Sequence, residues 1–359
     1  MKYTLLFLVL SSIYIPKSFA QDSTSKGRIS GYTFSEYFYN AQRDTFTNLG
    51  NVAFGGPQGL NGFQFNRIYF TYDYDISKKF STRFRLEGAH DETFQNGKIG
   101  VFIKDAYLEW NDIFKGSTLT FGIQPIAAFT VTESIWNYRS VERTLLDLRK
   151  IVDSRDFGIS LKGTIGKEKK TSYSVMIGNN SDVRVENDKY KRVYGHLAFN
   201  PVEHLYLTLF ADFRAQPDKL SSYGMVSNDR FTYSAMIGYK KTNKFAMGVE
   251  SYFDIVKNDV VGDYNMNQDK HGFGISIFAS AYFTNEISIF GRYDFFDDNI
   301  KKYSAVDSRN LYIFGLEYKA MSNIAVSPNV GIETYEAFTD GTTIKPSITP
   351  RLSLFYNFF

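Results

Sequence analysis

From about Arg28 to the C-terminus the chain repeats one unit, a short segment in which apolar and polar side chains alternate, and the connections between these segments are short and long by turns. Period-two alternation makes each segment a β-strand with one apolar face. The rhythm of the connections constrains the fold further. It sends all the short turns to one end of an antiparallel sheet and all the long loops to the other. An antiparallel barrel through a membrane has that division, whereas soluble propellers and sandwiches do not segregate their turns in this way. The last run, Ile348-Thr349-Pro350-Arg351-Leu352-Ser353-Leu354-Phe355-Tyr356-Asn357-Phe358-Phe359, is expected to be the closing strand that pairs with the first.

Strands are expected at Arg28–Tyr39, Gly62–Tyr74, Phe80–Gly88, Val101–Trp110, Ser117–Gln124, Arg155–Gly163, Thr171–Gly178 and Lys191–Phe199. The second half adds Leu205–Phe213, Asp229–Tyr239, Phe245–Phe253, Gly272–Phe283, Ile287–Phe295, Arg309–Tyr318, Ile324–Tyr335 and Ser347–Phe359. That is about 16 strands, an even number as bacterial barrels require, most near the ~9–11 residues that cross a bilayer at a tilt. Both termini fall on the short-turn side, the expected periplasmic side. Trp110, Phe199, Tyr239, Phe253, Phe283, Phe295, Tyr318 and Phe358 stand at strand ends, where a barrel carries its aromatic girdles.

Lys2, the apolar run Leu5–Leu10 and the small-x-small triplet Ser18-Phe19-Ala20 form a secretory signal peptide, expected to span residues 1–20 and to be cut before Gln21. The run is too short for a membrane anchor and is broken by Ser11, Ser12 and Pro16. Residues 21–359 are then one barrel, exported to the outer membrane of a Gram-negative bacterium. No cysteine occurs, so neither disulfides nor a lipid-anchored cysteine is available. The mean hydropathy of −0.28 suits strands that show lipid only every second residue. Without Lys2 and Lys17, 39 basic face 38 acidic residues, a balance that argues against a nucleic-acid partner.

If the apolar phase of each strand faces lipid, the other phase faces a lumen. It carries Arg67, Asp73, Arg83, Arg85, Glu87, Asp105, Glu109, Asp156, Lys162, Arg192, Asp212, Glu250, Arg292, Asp294, Arg309, Glu317, Glu333 and Arg351, eight basic and ten acidic residues. Charges would be costly on the lipid side. Arg67, Arg83, Arg85, Asp105, Glu109, Arg292 and Asp294 are the candidates for lining and selectivity, since pore charges act on ions at close quarters. Their alternative role is in structural ion pairs of a wet barrel.

The rhythm breaks once. Pro125–Ser154 is far longer than an ordinary connection and is not low-complexity. Thr132-Glu133-Ser134-Ile135 has the pattern of a helix cap, and Ile135, Trp136, Tyr138 and Val141 form an apolar stripe. Glu133, Arg139, Arg143 and Asp147 supply charge of both signs. Such a segment must rest its apolar side on something, either a neighbouring subunit or the inside of the barrel. In the second case Glu133, Trp136, Arg139, Arg143 and Asp147 would be constriction residues.

Phe121-Gly122-Ile123-Gln124-Pro125, Glu133-Ser134-Ile135-Trp136 with Arg139 and Arg143, and Ser154-Arg155-Asp156-Phe157-Gly158-Ile159 resemble the fifth strand, constriction loop and sixth strand of bacterial porins. The likeness is to the phosphate-selective porin O/P superfamily, with Gly291-Arg292-Tyr293-Asp294 and Gly315-Leu316-Glu317-Tyr318-Lys319 resembling its late strands. It implies a 16-stranded homotrimeric diffusion channel, all-β apart from a short helix in an inward-folded third loop. It implies outer-membrane lipid and the barrel-assembly machinery as partners, and small hydrophilic solutes or ions as cargo. The loop has no lysine cluster that would carry over phosphate selectivity, and Asn357 stands where the terminal motif commonly has a hydrophobic residue.

Two other classes compete. An outer-membrane hydrolase needs a nucleophile with a His partner. Only His90, His196, His204 and His271 are present, without a Gly-x-Ser-x-Gly element or a metal-ligand cluster, so neither an enzyme nor a cofactor is expected. A surface adhesin or receptor using the long loops is compatible with a pore.

Overall fold

In the computed structural model, residues 27–44, 54–93, 96–222, 224–261, 267–301 and 307–358 are described. The leader expected over residues 1–20 and the terminal Phe359 lie outside them. The strands in chain order are β1 (Gly27–Tyr39), β2 (Asn61–Asp75), β3 (Phe80–Thr93), β4 (Ile99–Asn111), β5 (Ser117–Pro125), β6 (Arg155–Ile165), β7 (Thr171–Gly178), β8 (Arg192–Phe199) and β9 (Leu205–Arg214). They continue as β10 (Lys219–Ser221), β11 (Gly224–Val226), β12 (Arg230–Lys241), β13 (Phe245–Val261), β14 (Asn267–Tyr282), β15 (Ile287–Asp297), β16 (Ser308–Met321), β17 (Ile324–Tyr335) and β18 (Ser347–Asn357).

Sixteen of these close into one antiparallel barrel, each strand beside its neighbour in the chain. The seam is β1 on β18, with Tyr32 opposite Asn357 and Phe38 opposite Arg351, so the final strand does pair with the first. The two remaining strands, β10 and β11, form a small hairpin in the loop after β9 that the alternation did not reveal. The loop expected at 254–271 is mostly strand. β13 and β14 run on past the apolar band and pair as far as Val261 with Asn267. Alternation stops there because both faces meet water. Cross-strand charge takes over, with Lys257 on Asp269 at 2.7 Å and Lys270 on Asp298 at 2.9 Å.

The burial pattern runs opposite to that of a soluble protein. On β2, Ile68, Phe70 and Tyr72 are exposed while Tyr69 and Thr71 are buried. Around the ring the buried phase holds most of the ionised groups, among them Glu87, Asp105, Asp156, Arg192, Asp212, Glu250, Asp294 and Glu333. The exposed phase is largely apolar. Water would not solvate such an outer face well, whereas hydrocarbon would.

Two β-bulges interrupt this alternation beside each other in the wall. Between β1 and β2 the register slips at Phe34/Ser35, leaving Asn66 as the extra residue on β2. Between β3 and β4 it slips at Arg85/Leu86, leaving Lys104 as the extra residue on β4. A bulge lets two consecutive side chains face the same way. Asn66 with Arg67, and Lys104 with Asp105, thus all turn inward, and the strip β2–β4 carries more polar groups than regular strands would.

Candidate functional site

The third loop leaves β5 at Pro125 and returns at Arg155. It contains a 3-10 turn at Ala127–Phe129, a helix α1 (Thr130–Trp136) and a single turn α2 (Leu145–Leu148). The expected cap at Thr132 is not formed. α1 starts two residues earlier, without a side-chain cap, and the Thr132 hydroxyl donates instead to Glu250 of β13 at 2.9 Å. The burial demand of the apolar face outweighs the local capping preference. The helix ends because Asn137 takes a left-handed conformation, φ 62°.

The apolar stripe is real. Ile135, Trp136, Tyr138 and Val141 are all buried, in one cluster with Met236 of β12, Ala246 of β13, Phe278 of β14, Phe290 of β15 and Leu311 and Ile313 of β16. A second cluster joins Phe129, Leu145, Leu146 and Val152 to Met176 of β7, Tyr194 of β8, Phe210 of β9, Tyr252 of β13 and Phe296 of β15. A segment that touches strands from β7 round to β16 of a closed ring can do so only from inside. At Gly238 of β12 a methyl group would lie 2.5 Å from Ile135 Cδ1, so the bare backbone there is what seats the helix.

Polar anchors complete the seat. Tyr138 and Ser288 share a hydrogen bond at 2.9 Å, and Arg351 donates to the Val141 carbonyl at 3.0 Å. Arg149 donates to Glu333 at 2.7 Å, both fully buried. Arg292 donates to the Arg143 carbonyl and holds Asp294 at 2.8 Å. Arg292 and Asp294 face inward, and their place is under the loop. Trp136 sits in the same seam, its indole N–H donating to the Glu142 carbonyl at 2.9 Å.

The other side of the lumen holds a cavity. Its volume is about 440 Å³, and it lies between β1–β3, β18 and loop residues 139–143, lined among others by Glu36, Asn66, Arg67, Arg139, Ser140, Glu142, Arg143 and Arg351. Arg67 pairs with Glu87 at 3.0 Å, and Lys104 takes the other oxygen of Glu87 at 3.0 Å. Arg85 lies 3.5 Å from Asp105, which also accepts from Arg155. Arg83 holds Asp73 at 2.7 Å, nearer the short-turn end, and Lys162 is paired with Glu109.

Within the loop, Arg139 bridges Glu133 at 3.1 Å and Asp147 at 2.9 Å. Burial raises the Glu133 carboxyl above its ordinary range despite Arg139. Burial alone would raise Asp147 too, but Arg139 and Arg143 outweigh it and hold that carboxyl below its usual value. The pairing leaves an asymmetry at the surface. Arg143 is 26% and Arg139 21% exposed, whereas Asp147 shows 10%, Glu87 2% and Asp105 none. Glu133, at 28%, is the exception, and the cavity lining itself holds four arginines, Arg67, Arg139, Arg143 and Arg351, against two glutamates, Glu36 and Glu142.

Of the residues singled out from sequence, the fold brings Arg67, Arg139 and Arg143 to the cavity, with Glu133 and Asp147 against Arg139, while Arg85 and Asp105 pair with each other in the β3–β4 wall. Asn66 and Lys104 were missed. Their signal was a slip of phase: Phe63 and Phe65 face out, then Ile68 and Phe70; Val101 and Ile103, then Ala106 and Leu108.

No family model and no curated protein matches the chain. Its fold is similar to that of an anion-selective porin from Comamonas acidovorans, with a TM-score of 0.65 and 12% identity over 93% of this chain and 100% of that one. It is also similar to the outer-membrane channel DcaP of Acinetobacter baumannii, at TM-score 0.67 and 11% identity over 93% and 97%. A third likeness is to OmpT, an outer-membrane protein of Vibrio cholerae that is also known in a trimer form, at 0.63 and 12% over 94% and 99%.

Proposed function

We propose that the protein is a trimeric porin of a Gram-negative outer membrane, passing small hydrophilic solutes or ions by diffusion through a lumen that its third loop narrows. The observation that carries this reading is the charge-lined cavity beside a loop sealed to the opposite wall. A lumen whose wall is ionised holds water, and a loop that occupies part of the cross-section limits the size of what passes. The apolar outer face calls for lipid as its solvent, and the closing strand supplies the kind of end that the barrel-assembly machinery handles. The finer resemblance, to phosphate-selective porins of the O/P type, rests on the short motifs around Gln124, Trp136 and Asp156.

The cavity lining gives the passage a modest preference for anions, since it holds four arginines, Arg67, Arg139, Arg143 and Arg351, against two glutamates, Glu36 and Glu142. Purified protein in a planar bilayer should show stepwise conductance and, in a salt gradient, a reversal potential of the sign for anion preference. Folded protein that inserts but conducts nothing would refute the channel reading. A cation-selective reversal potential would refute only the charge argument.

A further inference from the structure

Phe54 of the first loop also packs inside the barrel. Phe54, between β1 and β2, is 8% exposed and belongs to the same apolar cluster as Trp136, Val141 and Leu311. Its ring fills the space over Gly331 of β17, where a Cβ would lie 2.1 Å from the ring. No side chain larger than hydrogen leaves room for Phe54 in this position. The Arg351 guanidinium lies over the ring, 4.8 Å from its centroid, within range of a cation–π contact. The backbone behind the ring is fixed as well. Asn40 donates through its side chain to the carbonyls of Gly55 at 2.9 Å and Pro57 at 3.2 Å, and Arg43 ties Asn40 to Thr349 of β18 with two contacts of 2.6 Å. Phe54, Gly55, Gly56 and Leu60 then line the same cavity as Arg139 and Arg143.

We propose that Phe54 is a specificity-determining residue: seated in the Gly331 socket under Arg351, it holds the segment Phe54–Leu60 against the cavity as a second constriction. This rests on the channel reading. α1 draws its seat from β12–β16, with later residues of the third loop anchored to Glu333 of β17 and Arg351 of β18, whereas Phe54 and the residues behind it draw theirs from Gly331 of β17, Arg351 of β18 and the end of β1. The passage therefore has a size limit that can be relaxed without unseating α1.

The test uses the whole protein in planar bilayers and in liposomes loaded for sugar swelling. Phe54→Ala removes the ring and Gly331→Val expels it. Each should raise single-channel conductance about 1.5- to 2-fold and speed the entry of larger sugars, because pore width limits both. The double variant should gain no more than either single, since both release one latch. Gly55→Cys reads the same segment independently of the socket. A Cβ there meets nothing within 4 Å, and the chain has no other cysteine. A sulfonate thiol reagent should reduce the current of Gly55→Cys and leave wild type unchanged. If Phe54→Ala or Gly331→Val fails to fold, Gly55→Cys decides. Folded variants that conduct like wild type, or a Gly55→Cys current that the reagent leaves unaltered, would overturn the proposal. Wild-type protein that folds without conducting would instead remove the channel reading on which it rests.

Discussion

The two sides of the lumen obey the same alternation and do opposite things. On β2–β4 the inward phase is mostly polar and includes Arg67, Thr71, Asp73, Arg83, Arg85, Glu87 and Asp105 beside the buried Tyr69, and a cavity stands in front of its long-loop half. On β12–β16 the inward phase includes Met236, Ala246, Phe278, Phe290, Leu311 and Ile313, and the third loop lies on it. Facing the lumen is therefore not the same as lining the pore. Arg292 and Asp294 show the difference best. They satisfy every criterion of a pore charge except access, since Arg292 is 3% and Asp294 0% exposed.

Removing the third loop should break this contrast most severely. Deleting Thr132–Lys150 would wet the apolar inner wall and widen the passage, so conductance should rise about two- to threefold and thermal stability should fall. Unchanged conductance, measured on single channels, would mean that the segment does not stand in the path.

Single substitutions should sharpen it. Trp136→Ala empties a buried site on the sealed side and should cost about 3–5 kcal/mol, within the range for large-to-small core changes. Arg143→Ala on the cavity side removes a side chain that is a quarter exposed, so stability should fall by only about 1 kcal/mol while anion preference drops. Urea unfolding of refolded barrels and reversal potentials would separate the two. Equal stability losses would show that both positions belong to the packed side.

The smallest effect concerns pH. Asp182, in the loop between β7 and β8, is pushed up to about 6 by burial, although Lys104 opposes this. It is neutral at pH 5 and charged at pH 7.5, where it adds one negative charge near Lys104. Anion preference should therefore be stronger at pH 5. The comparison is made with Asp182→Asn, so that every other group facing the cavity, His90 among them, is the same in both proteins. That variant should keep at pH 7.5 more of the preference that wild type shows only at pH 5. Identical pH profiles would exclude Asp182 from the field of the pore.

The strands were legible because one face of each had to satisfy hydrocarbon, which writes a strict pattern into residues such as Ile68, Phe70 and Tyr72. The β13–β14 extension escaped because beyond the lipid no face is selected. Thr132 misled as a cap because a cap is a local preference, overridden when Ile135 and Trp136 found their seat on Met236 and Phe278. The covered half of the lumen did leave a trace. In Ile277-Phe278 and Ile289-Phe290 both phases are apolar, which a wet wall does not need. What no local pattern held was the occupant of that wall, because Trp136 and Phe290 meet only through closure of the ring.

The one-sided passage can be tested directly in a chain that has no cysteine of its own. Ser140 lines the cavity and Ser288 lies 1% exposed beneath Tyr138. Single-channel recordings of Ser140→Cys and Ser288→Cys, before and after a charged thiol reagent, place each residue relative to the ion path. Block at Ser140→Cys with an unaltered current at Ser288→Cys is the predicted result. Equal block at both, or block at Ser288→Cys alone, would contradict the account.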